Sequence, residues 1–133
     1  MQQAKTNTFP RQQRLKSRKK LQEVFSSGSR IHSGTIKLLY LAEAADKPDI
    51  QCGVGTSSRY FKKAADRNRI KRLLREAYRL QQQPVKMSAG QTQTHLSLFL
   101  LFTGKALPLY NDIYKQVGKA LQKLENKLHA MDP

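Results

Sequence analysis

Apolar positions recur along this chain with two different periods, and the switches between them divide it into elements. Residues 35–42, TIKLLYLA, place Ile36, Leu38 and Tyr40 on one face of a strand. Residues 50–57 alternate Ile50, Cys52 and Val54 with Gln51, Gly53 and Gly55, a second strand whose glycines predict a bulge or a close backbone approach. The polar connection between them, residues 43–49, contains Pro48, and antiparallel pairing of the two strands is the economical arrangement. Residues 96–103, LSLFLLFT, are almost continuously apolar, which predicts a strand covered on both faces at the centre of the sheet.

Helical spacing marks the remaining stretches. Ser17 reads as the N-cap of a short helix over about residues 18–27, closed by Gly28, with Leu21, Val24 and Phe25 on one side. Such a trio belongs to a core more often than to a site. Within residues 59–82, a wheel at about 100° per residue from Arg67 puts Leu80, Leu73, Ala77, Ile70 and Leu74 between about 220° and 340°, the core-facing arc. Lys71, Arg75, Asn68, Arg79 and Arg72 occupy about 40° to 140°, with Arg69 at the border. Pro84 ends that helix, and the polar stretch up to Thr94 reads as a loop of about ten residues. From Tyr110 onward, Ile113, Tyr114, Val117, Leu121, Leu124 and Leu128 predict a C-terminal helix packed on the sheet, with Lys115, Lys119, Lys123 and Lys127 on an ordinary solvated face. The order helix, two or three strands, helix, strand, helix is that of a two-layer α+β sandwich, αβββαβα-like, without an internal repeat or a second domain.

Charge changes this picture from a fold to a partner. The chain carries a formal net charge of +16 over 133 residues, which favours a polyanion over a protein surface or an anionic bilayer. Nine Lys or Arg fall between Arg59 and Arg79 against Asp66 and Glu76, a net +7. A solvated face is the ordinary meaning of a charged helix, but surface helices mix signs at spacings of three and four, and this stripe has almost no acidic partners. Arg guanidinium suits bidentate phosphate contact, and Asn68 adds a donor and an acceptor within the stripe. A second basic element precedes it: Lys5, Arg11, Arg14, Lys16, Arg18, Lys19 and Lys20 share the first twenty residues with no acidic one. Residues 1–8 are expected to be a disordered tail, and residues 9–130 a single RNA-binding domain. The longest apolar run, residues 98–102, is far too short to span a bilayer. With one cysteine and no signal-like N-terminal segment, the expectation is a cytoplasmic protein without disulfides.

The run Arg67-Asn68-Arg69, continued by Ile70-Lys71-Arg72-Leu73-Leu74-Arg75-Glu76, resembles the signature helix of the bacterial ribonuclease P protein subunit. Phe9-Pro10 with Arg14-Leu15-Lys16, Val24-Phe25 with Gly28, and Val54-Gly55-Thr56-Ser57 stand in the order that family shows, so the resemblance covers residues 9–128. It departs before the helix, where many members place a Gly in the loop and this chain has Phe61-Lys62-Lys63, and where Lys-Lys often ends the strand and this chain has Ser58-Arg59.

The resemblance implies a left-handed strand-helix-strand crossover around the basic helix, as in a domain of a small-subunit ribosomal protein, whereas base rates alone favour a right-handed one. It implies that the protein is the accessory subunit of a ribonucleoprotein endoribonuclease that matures the 5′ ends of precursor tRNA. The catalytic RNA subunit would hold the magnesium ions, and Arg67, Asn68, Arg69, Lys71, Arg72 and Arg75, with Arg59, Lys62 and Lys63, would contact that RNA. It further implies that a cleft beside the first helix, around Leu21, Phe25 and Tyr40, receives the single-stranded leader. For Tyr40 a half-buried strand tyrosine is an equal alternative.

Nothing in the sequence supplies a catalytic centre in the chain itself. His32, His95 and His129 lack metal-ligand spacing, the acidic residues are scattered singly, and Cys52 lies inside a strand pattern, more consistent with burial than nucleophilicity. Two other readings use the same features: a non-catalytic ribosomal or RNA-chaperone protein, and a DNA-binding regulator. The second is weaker because no two-helix turn precedes the basic helix, so neither DNA nor membrane is an expected partner.

Overall fold

The computed structural model describes residues 14–15 and 17–131; the tail expected at residues 1–8 and most of the basic arm lie outside them. Helix α1, Arg18–Ser27, starts where Ser17 Oγ accepts from the Lys20 backbone N–H at 3.3 Å, the expected cap. It ends at Gly28, whose N–H donates to Val24 O. A Cβ at Gly28 would run into Val24 O and sit 2.9 Å from Tyr40 O, both backbone atoms that cannot swing away. Gly28→Ala is therefore expected to destabilise the fold by about 1–3 kcal/mol. Gly90→Ala, where a Cβ meets nothing within 4 Å, should be neutral or stabilising by up to about 1 kcal/mol. Urea midpoints of the two variants check the opposite signs.

Strands β1 (Ser29–Ser33), β2 (Ile36–Ala44), β3 (Ile50–Thr56) and β4 (Thr94–Phe102) form one sheet in the order β1-β2-β4-β3. β1, the third of the "two or three" strands, is a short, largely polar edge that turns into β2 through Gly34 at φ 57°. The expected pairing of β2 with β3 does not occur. β4 lies between them, antiparallel to β2 with Tyr40 opposite Leu98, and parallel to β3 with Cys52 opposite Leu98. The physical reason is β4's own composition: its nearly unbroken apolar run is stabilised only with strands on both sides and cover on both faces, so it takes the centre. A parallel neighbour then requires a long crossover, supplied by α2 (Ala64–Gln81) and α3 (Gln83–Gln91).

α3 corrects a second expectation, for a loop after Pro84. Pro84 occupies the first turn, where its missing N–H has no helical partner to lose, and Val85, Ser88 and Ala89 bury one helical face. Pro84 starts a helix as well as stopping one. Helices α2, α3 and α4 (Tyr110–Met131) cover one face of the sheet, closing a core with Ile36, Leu38, Tyr40, Leu98 and Phe102. On the other face α1 packs Leu21 and Val24, together with Leu15 of the segment before it, against Leu39, Leu41, Phe99 and Leu101.

The buried arc of α2 is Ile70, Leu74, Ala77 and Tyr78, rotated from the expected one so that Leu80 is 52% exposed and Leu73 only half-buried. Neighbours on two sides set this rotation. Tyr78 offers more apolar surface to the interior than Leu80, and Gln81 Nε2 donates to Tyr114 O of α4 at 2.9 Å. In α4 the expected face is buried except Tyr114, which stays exposed against the Tyr110 ring at 6.0 Å.

Candidate nucleic-acid interface

The basic face of α2 divides into four environments. Asn68, Arg69 and Arg72 are exposed, as are Arg59, Lys62 and Lys63 in the loop before the helix. Arg67 is partly turned inward: its Nη1 donates to Phe61 O and to Lys62 O, each at 2.8 Å, so it clamps that loop onto the first turn of α2. Lys71 and Arg75 are half-buried. Arg79, on the same wheel arc, forms an ion pair with Glu76 and is thereby compensated.

Arg75 leads to a second surface. It lines a cleft of about 350 Å³ along the edge of β3, together with Arg14, Leu15, Leu21, Gly53 and Phe99. The N-terminal segment forms the rim by joining β3 directly, Leu15 N–H donating to Cys52 O at 3.1 Å. Burial first, and the nearby Arg14 guanidinium second, lower the Arg75 pKa from its ordinary value. An arginine remains charged under such a shift, so an anion entering the cleft relieves an unfavourable approach of like charges.

Phe25, 41% exposed, tilts against Phe99 with ring centroids 4.9 Å apart. Phe99 in turn lies over Gly53 and Gly55, where added Cβ atoms would come within 2.9 Å and 2.7 Å of its ring. Two side-chain-free positions on one strand thus form the floor on which an aromatic lies flat. This is the close approach that the glycines predicted, made by a ring and not by a backbone.

Of the residues expected in a leader cleft, Leu21 and Phe25 lie at this surface and Tyr40 does not. Strand alternation places Tyr40 with Ile36 and Leu38 on the helix-covered face, 6% exposed, on the side of the sheet opposite Phe25. The ring beside Phe25 is instead that of Phe99. Periodicity missed Phe99 because an apolar run has no alternation to reveal a face. The available signal was the pair Gly53 and Gly55, which the register sets opposite Phe99 and Leu101.

Cys52 is buried, and loss of solvation pushes its thiol pKa far above the ordinary cysteine value, which leaves it without nucleophilic character. His129 lies in the last turn of α4, with Nε2 3.1 Å from Ser88 Oγ. Among the described residues no three His, Cys, Asp or Glu side chains gather as a metal site would need, and no helix is long and apolar enough to cross a membrane.

Comparison with known proteins is consistent across sequence and structure. The family described as Ribonuclease P matches residues 9–125. The ribonuclease P protein component of Chlorobaculum tepidum is 31% identical over 110 residues, 77% of this chain and 71% of that protein. The protein component from Nitrosococcus oceani is 36% identical over 75 residues, 56% of this chain and 61% of that one. The Staphylococcus aureus RNase P protein structure shares the fold with a TM-score of 0.64 at 14% identity, covering 84% of this chain and 94% of that one. The Thermotoga maritima RNase P protein does so with a TM-score of 0.56 at 19% identity, covering 86% and 96%. With the match spanning both the basic helix and the cleft strands, the chain belongs to the ribonuclease P protein family.

Proposed function

We propose that this protein is the accessory subunit of a ribonucleoprotein endoribonuclease that matures tRNA 5′ ends in the cytoplasm. The exposed cations of α2 and its preceding loop bind phosphates of the catalytic RNA, while the Phe25–Phe99 cleft holds the single-stranded leader of precursor tRNA. Magnesium belongs to the RNA, which carries the phosphodiester cleavage. The protein contributes charge neutralisation, lowering the magnesium that the RNA needs, and a second hold on the substrate.

One observation carries this reading: Arg75 belongs to the basic helix and also lines the cleft. The two surfaces are therefore adjacent, and a leader lying in the cleft meets the same helix that engages the RNA. Aromatic rings beside cations are the chemistry that single strands require, since every base has a stacking face and every nucleotide a phosphate.

The test is cleavage of a 5′-extended precursor tRNA at low magnesium by the catalytic RNA with and without this protein. Stimulated cleavage at the mature 5′ end is expected, with Phe25→Ala weakening affinity for leader-bearing substrate about tenfold and leaving a leaderless tRNA unaffected. No stimulation by folded protein would overturn the proposal and favour a ribosomal or chaperone role.

A further inference from the structure

We infer that Tyr60 is the centre of a second stacking platform, one that takes an unpaired base of the catalytic RNA beyond the end of the sheet where Thr56 pairs with Phe102. The inference rests on the RNA-binding role proposed above and adds a site to it.

Tyr60 and Phe61 are adjacent and have opposite fates. Phe61 is 5% exposed and packs on Phe102 at 6.0 Å, whereas Tyr60 is 42% exposed. Phe61 is the anchor that turns Tyr60 outward. The backbone is held as well: Arg67 bonds the carbonyls of Phe61 and Lys62, and Arg59 N–H donates to Ser57 Oγ at 3.0 Å. A second loop, residues 103–109, closes over the same Phe102 ring because position 104 is glycine; a Cβ there would sit 2.5 Å from Phe102 Cζ. Both loops are thus fixed to one buried ring, which brings Lys105 beside Tyr60.

The result is an exposed ring with Arg59 Cζ 5.8 Å and Lys105 Nζ 5.6 Å from its centroid. Both distances lie at the outer part of the cation–π range of about 6 Å, so the two cations attend the ring while Tyr60 keeps its exposed area. Residues 57–63 and 103–109 contain Arg59, Lys62, Lys63 and Lys105 and no acidic residue. An exposed aromatic anchored from behind and flanked only by positive charge is complementary to a base with its phosphates. A protein partner would leave four cations opposite a surface that must itself be acidic, while RNA supplies both the π-face and the charge.

The sequence contains no tryptophan, so Tyr60→Trp makes position 60 the sole indole and a direct reporter. Full-length Tyr60→Trp is titrated with the catalytic RNA and with a single-stranded leader oligonucleotide; Tyr114→Trp, at an exposed position of α4, is the reference. Binding of Tyr60→Ala and Tyr60→Phe to the catalytic RNA is measured alongside, with urea midpoints to show that each is folded. Saturable quenching at position 60 by the catalytic RNA and none at 114 is expected, with an affinity loss of about tenfold in Tyr60→Ala and near-normal binding in Tyr60→Phe. Normal RNA affinity in Tyr60→Ala with unchanged indole emission overturns the platform while leaving the RNA-binding role standing. Quenching by the leader oligonucleotide alone overturns the assignment to the catalytic RNA. Failure of the wild-type protein to bind that RNA overturns both.

Discussion

Arg69→Glu combined with Arg72→Glu is expected to lower affinity for the catalytic RNA by about 100-fold near physiological salt, and to flatten the dependence of log affinity on log salt by about two. Both side chains are exposed, and neither enters an ion pair among the described residues. Replacing them leaves the fold's contacts in place, so the urea midpoint should move by no more than about 0.5 kcal/mol in equivalent stability. Arg67→Glu behaves differently. Arg67 makes two hydrogen bonds to loop carbonyls, each of the charge-assisted kind worth about 1.5–3 kcal/mol, so its reversal loosens the loop as well as removing a charge. Filter binding of the two variants across a salt series separates these effects. An unchanged salt slope in the double variant would remove α2 from the RNA interface.

Phe102→Ala is expected to destabilise the protein by about 3–5 kcal/mol. The ring is 2% exposed, meets Phe61 at 6.0 Å and supports the loop that turns at Gly104. Truncation opens a cavity where neighbours are held by the sheet on one side and by α2 on the other, so collapse is incomplete. For a domain of this length the fall in Tm should be about 10–20 °C. Leu109→Ala, at a side chain 73% exposed in the same connecting loop, should change stability by less than about 0.5 kcal/mol. A loss below about 1 kcal/mol at Phe102 would show that the two loops do not depend on this ring.

The elements of this chain were legible wherever local pattern and tertiary environment agree. Ser17 caps α1 as its chemistry predicts, Gly28 closes it in an extended conformation through the room its missing Cβ leaves and not through a left-handed turn, and Ile113, Val117, Leu121, Leu124 and Leu128 bury the predicted stripe of α4. The continuous run in β4 placed it at the centre of the sheet. Errors arose where a residue had two local meanings. Pro84 is both a helix stop and a favoured first-turn residue, and only the burial of Val85, Ser88 and Ala89 against the body of the protein decides between them. Leu80 and Tyr78 both lie near the edge of the apolar arc of α2. The helix packs against β3 and α4, with the tyrosine buried and the leucine in solvent.

By itself the sequence determined the charge of the chain, the basic helix, the central apolar strand, the caps and the family, because each depends on neighbours a few residues apart or on composition. Tertiary structure alone decided that β4 separates β2 from β3, that Tyr40 faces the core, and that Phe99, over Gly53 and Gly55, lies beside Phe25. It also decided that Arg67 clamps a loop and that Arg75 opens onto the cleft. Which strand pairs with which, and which side of a sheet a helix covers, depend on burying the whole apolar surface at once. That sum runs over residues far apart in the chain, and no local period records it.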